Sequence, residues 1–87
     1  MVGKNNFCGK LYTVHFQGKL AKFGWEYDHK RNMGVLFVEF ANGEMYEYFD
    51  VSKIVWASFW DANSKGKWFQ SEIKNAPSIN FEKVTNE

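Results

Sequence analysis

Three side chains in this sequence carry nucleophile or general-base chemistry near neutral pH: Cys8, His15 and His29. A thiol becomes a strong nucleophile when a neighbouring imidazole takes its proton, so a Cys–His pair is the first constellation to seek. Cys8 stands in a lead-in of Gly and Asn, His15 in an alternating apolar run and His29 in a charged loop; no signature ties the three together. No Cys or His stands at metal-ligand spacing, and no glycine-rich phosphate loop occurs. Glu39 and Glu47 alternate with apolar residues, as solvated sheet carboxylates do. The expectation is a protein without catalytic residues, metal or cofactor.

Binding chemistry is better represented. Ser64-Lys65-Gly66-Lys67 precedes Trp68 and Phe69, and a helix beginning there presents unpaired N–H groups that suit phosphate. The plainer reading is an interhelical turn in which Ser64 caps the helix and both rings pack on a sheet. Lys30 and Arg31, with Lys19 and Lys22, would extend a basic patch. Residues 1–34 carry six basic side chains against two acidic ones, whereas 35–61 carry one against five. This split allows a basic face opposite an acidic one, although folding can also interleave the two. The net charge of +1 argues against strong global attraction to nucleic acid or membrane.

Rings are the second resource. Nine Phe, four Tyr and four Trp make up 20% of the chain, and rings left outside a small core serve interfaces or base stacking. Tyr46 and Tyr48 share a strand face, as base-stacking rings do, but Leu36, Val38 and Phe40 share it too and mark it as a face that helices cover. Val55, Phe59 and Ala62 form one stripe of a helix, with Ile54 and Ser58 beside it as further sheet cover. Trp56 and Trp60 lie about 100° further round. Either they pack under the N-terminal extension, or they form a patch for a partner or a second copy, with Lys53 one turn earlier. Trp56 is the ring expected to face the partner.

The elements that must position these groups follow from periodicity. Residues 10–16 and 20–27 read as strands, the second interrupted by Gly24, which suggests a bulge or a close backbone approach. In the hairpin of residues 34–49, a three-residue loop Ala41-Asn42-Gly43 with Gly43 left-handed pairs Val38 with Tyr46 and Leu36 with Tyr48. A slip by one residue would set Glu47 among apolar neighbours, so burial selects this register. Glu39 and Glu47 then share the wetter face with Val35, Phe37, Met45 and Phe49. Ser52 caps a helix from Lys53 to about Ala62, and a second helix runs from near Ser64 through Lys74. Ala76-Pro77 ends it, and 78–84 form an edge strand. The expected fold is α+β: an antiparallel sheet of four to five strands with two C-terminal helices packed on one face, ββββααβ.

The pattern resembles a known family. Phe23-Gly24-Trp25-Glu26-Tyr27-Asp28, then Leu36-x-Val38-x-Phe40-x-Asn42-Gly43-x-x-Tyr46-x-Tyr48, is similar to the first half of a KTSC domain. Val51, Ala62-x-Ser64-x-Gly66-x-Trp68-Phe69 and Ile73-Lys74 continue the resemblance, which covers roughly residues 20–75 of one domain over 1–87. Trp25 stands where the family usually has Tyr, and the usual proline near Ser52 is absent. Residues 1–19 and 76–87 fall outside the pattern and suit a contribution of this chain to its own partner. The family occurs at the C-terminus of some lysyl-tRNA synthetases and as short free-standing proteins of bacteria and phages, so the resemblance implies fold more than function.

One Cys excludes an internal disulfide and suits a reducing cytosol, and no apolar run approaches a membrane span. The expected function is a small cytoplasmic, non-enzymatic binding protein with a protein partner. The resemblance extends this to a phage-type inhibitor of a host nuclease, toxin or other defence protein. The alternative is an RNA- or nucleic-acid-binding module using Ser64, Lys65, Gly66, Lys67, Lys30 and Arg31.

Overall fold

The computed structural model describes residues 9–16 and 18–84. Expectations for Cys8 and the rest of the lead-in, for Gln17 and for residues 85–87 lie outside the described residues. Five strands form an antiparallel meander in chain order: β1 (Tyr12–Phe16), β2 (Lys19–Asp28), β3 (Met33–Glu39), β4 (Met45–Phe49) and β5 (Phe81–Val84). Between β4 and β5 run α1 (Lys53–Asp61), α2 (Lys65–Trp68) and a π-helical continuation of α2 over Phe69–Lys74. The α+β order is the expected one.

The β3–β4 hairpin adopts the register that burial demands. Val38 pairs with Tyr46 and Leu36 with Tyr48, and Gly43 takes φ +91°. The amide of Gly43 donates to the Phe40 carbonyl at 2.9 Å, and the Asn42 side chain accepts from the Glu44 amide at 2.9 Å. Leu36, Val38 and Tyr48 therefore join Phe23, Phe59, Phe69 and Ile73 in one core beneath the helices. Burial pushes the Tyr48 phenol up to about 12. Trp68 and Phe69 are core as well. β2 shows no bulge: Gly24 pairs with Phe37 in an uninterrupted ladder.

Ser52 caps α1 by accepting from the Val55 amide at 3.1 Å. Phe59 is fully buried and defines the inward direction of the helix. At about 100° per residue, Val55, Trp56 and Ala62 lie within about 60° of it, and all three pack against the core. Ile54, expected to cover the sheet, lies about 140° away by the same count and is 82% exposed. The second helix changes pitch after Trp68: the Asn75 amide bonds the Gln70 carbonyl at 3.0 Å, five residues back. This wider winding turns both Phe69 and Ile73 into the core.

Gly34 joins β3 to the start of α1. Its carbonyl accepts from the Val51 amide at 2.9 Å, and the Val51 carbonyl accepts the Trp25 indole N–H at 2.7 Å. The two departures from the family pattern, Trp25 and the missing proline near Ser52, thus meet at one place: Trp25 holds the carbonyl just before Ser52.

The opposite sheet face is drier than expected. Val35 and Phe37 are buried there, Phe37 at 2% exposure, outside the core that the helices cover. Glu47, expected to be solvated, is half-buried in the same layer, and desolvation holds its carboxyl above the ordinary glutamate value.

Candidate interaction surface

The histidines stand apart. His15 pairs with Leu20 near one end of β2, and His29 follows the other end, packed edge-on to Tyr27 at 5.0 Å. The nine residue steps from Leu20 to His29 span about 30 Å of extended chain. Among the described residues, no three His, Cys, Asp or Glu side chains group as a metal site.

The proposed phosphate residues are occupied with structure and divided between two sides of the sheet. Ser64 Oγ accepts from the Lys67 amide at 3.3 Å, which is an ordinary cap of a very short helix. Lys65 turns back to donate to the Ala62 carbonyl at 3.0 Å, and its ammonium lies 5.3 Å from the centre of the Phe59 ring. Gly66 is buried. Lys30 and Arg31 lie in the β2–β3 loop, where their amides donate to Asp28 Oδ1 at 2.9 and 3.2 Å. Arg31 also pairs with Asp28 Oδ2 at 2.9 Å and covers the Phe49 ring at 4.6 Å. Phe49 pairs with Val35 on the face away from the helices, whereas Phe59 is on the inward side of α1. The two halves of the expected basic patch therefore do not form one surface.

The tryptophans are brought together, with a partner the sequence did not reveal. Strand β1 runs beside the helices, so Tyr12 meets Trp60 edge-to-face at 4.6 Å and Trp56 at 6.5 Å. Trp56 stacks on Phe59 at 4.6 Å and 12°, and Trp60 stands at 77° to Trp56. Edge-to-face and offset contacts are the favoured geometries of aromatic pairs, so each ring is packed against its neighbours in a stabilising arrangement. The order of exposure reverses the expectation: Trp56 is half-buried against the core, while Trp60 remains 48% exposed. The reason is rotational, since Trp60 lies about 100° from Phe59 and Trp56 only about 60°. Lys10 holds its ammonium 5.6 Å from the Tyr12 ring centre, and exposed Lys53 precedes Trp56 by one turn on the same flank of α1. The alternation of residues 10–16 contained the signal for Tyr12, but only the tertiary fold sets it against α1.

Charge is sorted by sheet face rather than by chain segment. Strand parity and the helices put Lys10, Lys19, Lys53, Lys65, Lys67 and Lys74 on the helix side, with Asp61 and Glu72 as the acidic residues there, while Lys83 pairs with Glu44 at 3.2 Å. Glu26, Asp28, Glu39, Glu47 and Glu82 share the other side with Lys22 and Arg31. A basic face opposite an acidic one is the result.

Among the described residues, no helix is long and apolar enough to cross a membrane. No curated protein and no solved structure matches the chain. The KTSC domain family model matches residues 19–76, from the first residue of β2 to just beyond the π-helical turn. Both edge strands, β1 and β5, lie outside that match, so Tyr12 falls outside the matched span and Trp56 and Trp60 within it. With most of its length matched and the expected fold in place, the chain belongs to the KTSC domain family.

Proposed function

We propose that this protein is a non-enzymatic binding module that engages a protein partner through Trp60, Tyr12 and Trp56, with Lys53 and Lys10 at the margin. The observation that carries the reading is the half-exposed Trp60, packed between the Tyr12 and Trp56 rings. A large ring fixed before binding loses little entropy on docking, and tryptophan is the residue most enriched at interface hot spots. Tyr12 comes from the strand added outside the family match, as a chain-specific partner surface requires. A cytoplasmic host nuclease, toxin or other defence protein of the kind a phage neutralises is the first partner class to test.

The test compares pulldowns from a bacterial host lysate using the parent protein and Trp60→Ala. One protein retained by the parent and lost with the variant, whose melting temperature stays within a few degrees, is the expected result. Equal retention by both proteins refutes the assignment of the surface. Capture of RNA in place of protein would refute the partner class.

A further inference from the structure

We infer that the partner meets this surface with an acidic protein segment, carboxylates set around an apolar or aromatic side chain that packs on Trp60. The inference rests on the proposed interface and adds the chemistry of its occupant. The lysines beside the rings are stationed rather than scattered: Lys10 lies over Tyr12 and Lys65 over Phe59, at 5.6 and 5.3 Å from the ring centres. An ammonium resting on a ring is already restrained, so an arriving carboxylate costs little further ordering. Lys53 extends the basic rim along α1, and the remaining helix-side lysines give that whole side a positive potential. Glu26, Asp28, Glu39, Glu47 and Glu82 lie on the other face of the sheet, which leaves Asp61, Glu72 and the Lys83-paired Glu44 against the lysines on this side. Such sorting steers an acidic surface toward Trp60 and discriminates against a basic one.

Ring geometry favours a protein segment over a nucleic acid. Base stacking uses open, roughly parallel ring faces. Here Trp56 already stacks on Phe59 at 12°, and Trp60 stands at 88°, 77° and 87° to Tyr12, Trp56 and Phe59. The Trp56 face is taken by Phe59 and Trp60 has no parallel neighbour among the described residues, so the rings form a knobbed apolar surface with a cationic rim.

A random dodecapeptide display selection against the intact protein tests this, followed by affinities of the enriched peptides for the parent, Trp60→Ala and the exposed double variant Lys10→Glu/Lys53→Glu. The expected peptides carry net negative charge with at least one large apolar residue. They should bind about tenfold or more weakly to each variant, and more weakly to the parent as salt rises. Neutral or basic peptides that still depend on Trp60 would overturn the acidic chemistry and leave the interface standing. Acidic peptides indifferent to Trp60→Ala would overturn the interface, and with it the inference. No enrichment, tighter binding of a single-stranded RNA 20-mer, or salt-sensitive self-association that blocks the peptides would each overturn it as well, the last by assigning the acidic face of a second copy as the occupant.

Discussion

Gly34→Ala should come close to unfolding the protein. A Cβ at this position would overlap the Val51 carbonyl oxygen and come within 2.5 Å of Trp25 Cζ2. Neither neighbour can yield cheaply. The Val51 carbonyl is held by the Trp25 indole at 2.7 Å, and the Val51 amide is bonded to Gly34 itself at 2.9 Å. Moving Val51 breaks both hydrogen bonds, at about 1 kcal/mol each, and the residual overlap adds about 1–3 kcal/mol. Reduced freedom of the unfolded chain returns at most about 1 kcal/mol. The net cost is about 2–4 kcal/mol, a large share of what a domain of this size has. Thermal unfolding followed by circular dichroism should show a drop of about 10 °C or more. A variant melting within about 4 °C of the parent would refute the close approach of β3 to the α1 junction.

Gly43→Val probes a different cause: nothing lies within 4 Å of the added Cβ, but φ is +91°, so backbone strain alone should cost more than about 1 kcal/mol in urea denaturation. Trp56→Ala should lower stability by about 2–3 kcal/mol through its lost stacking on Phe59, whereas Trp60→Ala should melt within a few degrees of the parent; the reverse order would contradict the burial of the pair. Burial is the main reason Glu47 is held above its ordinary value; Arg31 opposes the shift, while Glu82, Asp28 and Glu26 add to it. The folded state therefore binds this proton more tightly than the unfolded chain. The contribution of Glu47 to stability falls as pH rises from the ordinary glutamate range through the raised value. Glu47→Gln should raise the melting temperature at neutral pH and flatten that decline, and an unchanged profile would rule out the desolvated carboxyl.

What the sequence determined by itself was local or parity-bound. Alternation placed the strands, Ser52 and Pro77 bracketed the helices, and Asn42-Gly43 with the cost of burying Glu47 set the hairpin register. Each rests on neighbours in the chain or on a two-residue period, and the same motifs carried the family resemblance. The tertiary structure decided what depends on elements meeting. It set Tyr12 of β1 against Trp60 of α1, and it rotated Ile54 outward and Trp56 inward because Phe59 fixes the axis of burial. It also closed Gly34, Trp25 and Val51 into one junction, with Trp25 and Val51 separated by 26 positions in the chain. Charge shows the difference most plainly. Along the chain the basic and acidic residues fall in successive segments, but strand parity redistributes them, so the face each charge occupies exists only once the sheet has formed and the helices have chosen a side.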